Sequence, residues 1–358
     1  MKILLINPPN LEEDQLDAQT IPQGLLYLKE FMKNSDYNCD TMNLYFEENW
    51  EHVIMRLKEK DYNIIGIPCY TRQRFSVFKL AKICKEINEN SKIVLGGPHA
   101  TFLDTMILKK YWFIDFIVRG EGEFTFLKLV SHLQKSKEEN LYDIRGLTFR
   151  NSNNAIIRNL DQEPIDILDN LPYPKYSDED LAWFPRCKSL TFHFQKINRN
   201  EYIAPLLASR GCNSNCIFCC NGAYWKNQRY HSAEYVVKQI SVLNEKFQIS
   251  FFDFYDDNLT ESKNDLMDIC DLIIRNNLDV HWWCSSRADK IDREMLIKMK
   301  SAGCFMVSYG IESGSQSILN NIKKRLILED AIKNSIMTKE VGLFLRCTIS
   351  IGHPGENK

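Results

Sequence analysis

The chain has 358 residues, 44% of them hydrophobic and 26% charged, an ordinary globular composition and enough length for two domains of usual size. Lys and Arg number 45 against 47 Asp and Glu, so the formal net charge is −2 and there is no electrostatic case for a nucleic-acid partner. No apolar run approaches the ~18 residues of a membrane span, and the opening apolar run meets Asn7-Pro8-Pro9 too soon for a secretory signal. In a chain expected to be cytoplasmic, twelve cysteines read as metal or redox groups rather than a disulfide framework.

Residues 2–6 are a short apolar run stopped by a proline pair, the pattern of a strand followed by a breaker. Residues 22–33 carry Leu25, Leu26, Leu28 and Phe31 at helical spacing, with Pro22 suited to a first turn. A second strand is predicted over 38–44. A third, over 64–70, is nearly continuous in apolar residues, as strands buried on both faces are. A helix follows over 75–87, and a strand over 93–95 runs into Gly96-Gly97-Pro98-His99. Another strand, over 116–118, runs into Arg119-Gly120-Glu121-Gly122-Glu123 and a helix over 124–133. Strands alternating with helices predict a doubly wound, Rossmann-like parallel sheet, which binds ligands at the carboxyl ends of its strands. Those ends carry Pro8, Thr71, Gly96, Gly97, Glu121 and Gly122, the candidate ligand residues of the first domain, taken as 1–140. The fingerprint G-x-G-x-x-G is missing, because Gly120-Glu121-Gly122 follows a late strand and lacks the third glycine.

Residues 141–200 read as a linker containing a small hairpin, 146–150 and 155–158 around Asn151-Ser152-Asn153-Asn154. From 201 to the end, strands are predicted at 203–208, 249–255, 280–284, 305–309 and 343–351, with helices at 232–246, 264–274, 293–302 and 328–341. Polar, glycine-bearing strand ends fit a (β/α) barrel whose site lies on the carboxyl face. The sequence stops just after the fifth strand, so the barrel is expected to be partial, apparently truncated.

The first barrel strand leads straight into Cys212, Cys216 and Cys219, a C-x3-C-x2-C pattern. Three thiolates on one tight loop can hold three corners of a four-iron cluster and leave the fourth iron open to a ligand. The competing reading is structural zinc, which needs a fourth ligand. Cys220 is adjacent to Cys219, and in extended chain neighbouring side chains point opposite ways.

Cys212-Asn213-Ser214-Asn215-Cys216-Ile217-Phe218-Cys219 resembles the signature of the radical S-adenosylmethionine (radical SAM) enzymes. The element order over residues 1–135 and the two glycine phrases resemble the cobalamin-binding domain that precedes the barrel in a large branch of that family. The resemblance implies a [4Fe–4S] cluster on the three cysteines, whose open iron is chelated by S-adenosylmethionine, and a 5′-deoxyadenosyl radical made from that cofactor. It implies S-adenosylmethionine contacts from Phe218, Asp256, Asp257, Arg287 and Glu312: Glu312 to the ribose hydroxyls, Arg287 to the carboxylate, Asp256-Asp257-Asn258 in the place of the amino-binding motif. It implies cobalamin as third cofactor. An Asp-x-His-x-x-Gly motif is absent from the first domain, so no protein histidine is expected on the cobalt. An external electron donor such as flavodoxin or ferredoxin is implied, with no nucleic acid and no membrane. The implied activity is methylation of an unactivated carbon of a small-molecule or peptide substrate. The alternatives are oxidative cyclisation or rearrangement in tetrapyrrole or natural-product biosynthesis, and an inactive iron–sulfur or cobalamin-binding protein.

Overall fold

The computed structural model describes residues 1–11, 22–135, 140–177, 181, 184 and 201–357. The chain splits into two compact units, Met1–Ile165 with Leu171–Trp183, and Asp166–Asn170 with Phe184–Lys358.

The first unit runs β1 (Ile3–Asn7), α1 (Gln23–Lys33), β2 (Cys39–Asn43), α2 (Trp50–Lys58), β3 (Ile64–Pro68), α3 (Arg74–Ile87), β4 (Lys92–Gly96), α4 (Pro98–Phe102), α5 (Asp104–Lys110), β5 (Phe116–Val118) and α6 (Gly122–Lys135). Its sheet has the order β2-β1-β3-β4-β5, all parallel. Every residue of β1 is buried, because helices cover both faces. Leu4, Ile6, Ile65, Ile67 and Leu95 pack on one side with Val53 of α2 and Val77 and Leu80 of α3. Ile3, Leu5, Ile64 and Val94 pack on the other with Met32 of α1 and Leu129 and Val130 of α6.

The expected hairpin forms as β6 (Leu147–Arg150) and β7 (Ile156–Arg158). It does not stand apart in a linker. β6 pairs antiparallel with β5 and extends the first sheet to seven strands. A buried ion network explains why. Arg119, 2% exposed, bonds the Asn159 carbonyl at 2.6 Å, while Asp104 accepts from Thr148 Oγ1 at 2.7 Å and Arg158 Nε at 2.9 Å. Most of the predicted linker beyond residue 177 lies outside the described residues.

The second unit runs β8 (Ile203–Leu206), β9 (Ser209–Arg210), α7 (Asn221–Trp225), β10 (Arg229–Tyr230), α8 (Ala233–Phe247), β11 (Phe251–Phe254), α9 (Lys263–Arg275), β12 (His281–Ser286), α10 (Arg293–Ser301), β13 (Cys304–Glu312), α11 (Gln316–Asn321), α12 (Leu328–Val341) and β14 (Phe344–Ile349). Strands β8, β11, β12, β13 and β14 lie side by side in that order, all parallel. This is the arc of a (β/α) barrel in which each strand neighbours the next. The helices cover one face. Trp282 Nε1 donates to the Ala302 carbonyl behind α10 at 2.8 Å, and the Tyr309 hydroxyl meets Thr338 of α12 at 2.7 Å. Four helix starts are fixed by side chains: Asn49 on α2, Ser232 on α8, Ser262 on α9 and Asp292 on α10 each accept from a backbone N–H of the first turn.

One short segment of the second unit is remote in sequence. Asp169 Oδ1 accepts from the Ser232 backbone N–H at 3.0 Å and lies 3.1 Å from His231 Nδ1, a clamp at the start of α8.

Candidate active site

The cysteine loop leaves β9 through Gly211, whose φ is +94°. A Cβ there would stand 2.7 Å from the Asn227 carbonyl oxygen, so only glycine fits this turn. Cys212 is half-buried, Cys216 buried and Cys219 exposed. Three bonds fix the loop from outside: the Ile217 N–H to the Ile322 carbonyl at 3.0 Å, the Gln228 N–H to Asn213 Oδ1 at 3.1 Å, and Arg287 Nη1 to Ser214 Oγ at 3.2 Å. Cys220 is the N-cap of α7, so the chain there is not extended as the sequence reading supposed; its thiol is exposed and 3.8 Å from Asn221 Oδ1.

The loop fits a cluster held by thiolates. The Asn221 N–H lies 3.4 Å from Cys219 Sγ and donates to it. Burial works against the charge of Arg287, but Asp289 and the sulfurs of Cys216 and Cys212 outweigh it and raise its pKa. Burial raises the Cys219 thiol against the pull of the Asn221 N–H, and Asp257 adds to the rise, so it is a bound metal that would favour the thiolate. Among the described residues no three His, Cys, Asp or Glu stand together as a single-ion site. A mononuclear zinc site needs its sulfurs ~4 Å apart, whereas a cluster spreads its thiolates over separate irons.

The five residues expected to meet S-adenosylmethionine gather at the carboxyl ends of the strands but divide in role. Phe218 is 46% exposed, with its ring 5.6 Å from that of His353, and Asp257 accepts from Asn221 Nδ2 at the foot of α7. Glu312 ends β13 with its carboxylate held by Lys324 Nζ at 3.2 Å and Ser350 Oγ at 2.9 Å. The other two are turned inward. Asp256, 3% exposed, accepts from the Ala208 N–H and from Ser209 Oγ, and burial pushes its carboxyl up to about 7. Arg287 spends Nε and Nη2 on Asp289, both at 2.9 Å, and Nη2 also reaches the Lys324 carbonyl at 2.8 Å. The fork expected to take a carboxylate from the cofactor already holds one from the chain.

Sequence reasoning missed Lys324 and Ser214, and it placed Asn258 with Asp256 and Asp257 as a cofactor-binding residue, whereas its side chain is held by the scaffold. Asn258 is fully buried; its carbonyl accepts from Gln228, and its Oδ1 from the Arg287 N–H. The run Lys323-Lys324-Arg325 reads as a solvated charge cluster. Only its turn, with φ of +55° at both Lys323 and Arg325, drives Lys324 inward.

In the first unit, Pro8, Thr71, Gly96, Gly97, Glu121 and Gly122 follow or end β1, β3, β4 and β5 along one edge of the sheet. Backbone bonds close that edge: Cys69 N–H to the Gly96 carbonyl at 2.8 Å, His99 N–H to the Cys69 carbonyl at 3.0 Å. His99 is buried, with Nδ1 3.0 Å from Thr71 Oγ1. The order 2-1-3-4-5 puts a topological switch point between β1 and β3, where such sheets take ligands. All six residues thus lie on the carboxyl edge of the sheet, with Thr71 exposed and Pro8 and Glu121 buried.

A glycine-edged doubly wound unit followed by a three-cysteine barrel defines a class of cofactor-dependent enzymes. Comparison with known proteins bears this out. The family model for the B12 binding domain matches residues 15–130, and that for the radical SAM superfamily matches residues 206–358. An uncharacterized methyltransferase of Pyrococcus horikoshii is 32% identical over 368 residues, covering 100% of this chain and 75% of the relative. The anaerobic magnesium-protoporphyrin IX monomethyl ester cyclase of Rubrivivax gelatinosus is 26% identical over 99% of this chain and 63% of its own length. The cobalamin-dependent S-adenosylmethionine radical enzyme OxsB, solved with aqua-cobalamin and S-adenosylmethionine bound, superposes with a TM-score of 0.79 at 20% identity, over 97% of this chain and 49% of that one. The chain belongs to the B12-binding radical SAM enzyme family. It spans about half the length of the solved relative and three quarters of the first curated one.

Proposed function

We propose that the protein is a cobalamin-dependent radical SAM methyltransferase acting on an unactivated carbon. The observation that carries this is the Cys212–Cys219 loop, pinned by Arg287 and the Ile322 carbonyl beside the oriented carboxylate of Glu312, in a chain that also has a B12 binding domain. When bound, the cluster with S-adenosylmethionine supplies a carbon radical, and cobalamin supplies the methyl group.

Cys212, Cys216 and Cys219 hold the cluster. Asn221 N–H and Arg287 stabilise the negative charge of the thiolates. Glu312, an acceptor with both oxygens already aimed by Lys324 and Ser350, takes ribose hydroxyls. Asp257 takes the cofactor's amino group, and Phe218 offers it an exposed ring. Asp256 and Arg287 act one step back: they hold β8, the cysteine loop and the Lys324 turn in register. Pro8, Thr71, Gly96, Gly97, Glu121 and Gly122 carry cobalamin on the edge of the first sheet. The electron comes from an external donor of the flavodoxin or ferredoxin kind. The setting is the cytoplasm, where thiols stay reduced.

A second reading, oxidative ring closure, is favoured by the likeness to the Rubrivivax gelatinosus cyclase. One experiment separates the two. Anaerobically reconstituted protein is incubated with reductant and S-adenosylmethionine labelled in its methyl group. Formation of 5′-deoxyadenosine with label in the product is expected. Unlabelled, cyclised product would favour the second reading, and no 5′-deoxyadenosine would refute both. Cys212→Ala, Cys216→Ala and Cys219→Ala should each lose the iron, and Cys220→Ala should keep it.

A further inference from the structure

The cysteine loop has an outward side that the cofactor assignments do not use. Ile217 stands between Cys216 and Cys219 and is 55% exposed. Its backbone N–H is bonded to the Ile322 carbonyl, so the turn that begins at Ile322 lies against the loop. Arg287 braces the two together. It reaches Ser214 of the loop through Nη1 and the carbonyls of Lys324 and Arg325 through Nη2. Loop and turn thus make one braced rim.

Lys323 and Arg325 are exposed on that turn, while Lys324 between them is buried on Glu312. Among the described residues neither exposed cation has an ion pair or a side-chain hydrogen bond. Both sit in left-handed backbone, φ +55°. Glycine or asparagine adopts that region with less strain, so the backbone itself gives no reason for a cation at either place. Ile327, 59% exposed, adds a second apolar side chain two residues on. The next acids along the chain, Glu329 and Asp330, belong to the first turn of α12, where the helix dipole favours them. The rim is therefore a small apolar patch with two unmatched positive charges, in a chain whose formal net charge is −2.

We propose that this rim is the docking surface of the one-electron donor, and that the donor is a small acidic redox protein of the flavodoxin or ferredoxin kind. The radical chemistry proposed for this chain consumes one electron from outside, and its carrier has to come close to the Cys212–Cys219 loop. Ile217 is the exposed apolar side chain between two of the proposed ligands. One electron leaves the donor and one arrives at the cluster; no atom is transferred. Redox encounters bury little surface, and opposite charge speeds such encounters more than it tightens them. Two free cations around an apolar contact match a partner of that sort. The inference rests on the radical reading for the word donor.

The test uses the whole reconstituted chain, with a reduced flavodoxin and a reduced ferredoxin, both acidic, as probes. Cluster reduction is followed by stopped-flow absorbance, and affinity by titration with the oxidised probes. At least one probe should bind and reduce the parent, more slowly as salt rises. Lys323→Glu with Arg325→Glu should lower that rate about tenfold or more and weaken the affinity. Lys323→Gly with Arg325→Gly relaxes the backbone and removes both charges; it should fold at least as well as the parent and still be slowed. Reduction by the methyl viologen radical, a small cation, should not slow in either variant, and iron content should stay at the parent level. Lys109→Glu with Lys110→Glu makes the same change of net charge on α5 and should leave the donor rate near the parent's. The dock is refuted if neither probe reduces the parent, if the charge-reversed rim matches the parent, or if the α5 variant is slowed equally. Slower turnover of an acidic peptide substrate at unchanged donor rates would also overturn it. The same samples, reduced with viologen, are assayed for 5′-deoxyadenosine. Donor binding and reduction without that product would remove the functional reading and leave the dock standing; the reverse result would remove the dock alone.

Discussion

Glu312 sits in left-handed backbone, φ +71°, at the end of β13, and its side chain folds back over Gly310. A Cβ on Gly310 would come within 2.7 Å of Glu312 Oε1, so the glycine makes room for the carboxylate. Lys324 and Ser350 then fix its two oxygens. A hydrogen bond to a charged group contributes roughly 1.5–3 kcal/mol. Glu312→Gln should therefore weaken S-adenosylmethionine binding about tenfold or more while iron content stays at the parent level. Lys324→Met should weaken it too, by letting the carboxylate swing. Equilibrium dialysis with labelled cofactor is the measurement; parental affinity in both variants would remove Glu312 from the site. Glu312 was legible in the sequence as the carboxylate ending a barrel strand. Lys324 was not, because nothing local tells a buried lysine from two solvated basic neighbours until the chain's reversal is known. The inward turn of Asp256 and Arg287 was hidden for a related reason. Asp256 bonds Ser209, 47 residues away, and Arg287, besides its near neighbour Asp289, bonds Ser214, 73 residues away.

At the scale of elements, apolar periodicity located the long helices and the parallel strands well. Val236, Val237, Ile240 and Leu243 of α8, expected to face inward, are all buried. The short α4, α5, α7 and α11 went unseen, since five to seven residues hold too little of a 3.6-residue period to register, and so did the nine-residue α2, of which only Val53 and Leu57 are buried. The start of α8 shows what periodicity cannot reach. His231, 2% exposed, stacks on Tyr235 with ring centroids 3.9 Å apart and donates from Nδ1 to Asp169. Burial holds its pKa down at about 4, against an ordinary 6.5. The folded ring is therefore neutral, and unfolding takes up a proton once the pH falls below the ordinary value. The stability this supplies is complete above pH 6.5 and is lost as pH falls towards about 4, up to about 3 kcal/mol. His231→Gln should flatten that part of the acid-unfolding curve followed by circular dichroism. Identical pH slopes for parent and variant would show that the ring is not the titrating group.

For the whole molecule, the second sheet is an open arc with β14 on its rim. Phe344 is 44% and Ile349 65% exposed there, and among the described residues nothing pairs with the outer edge. An apolar, unpaired strand edge is a template for another chain. The 358-residue chain should therefore self-associate with rising concentration in sedimentation velocity, and Ile349→Lys should shift it towards monomer. A monomeric parent would show the edge to be harmless. The chain's route has another consequence. It leaves the first unit at Ile165, lends Asp166–Asn170 to the barrel, returns for Leu171–Trp183 and only then departs for good. During synthesis Asp169 must wait for α8, about sixty residues later. No single cut frees either half intact. A chimera exchanging barrels within this family has to carry the 166–170 strap with the barrel it clamps, or the transplanted α8 starts without its anchor.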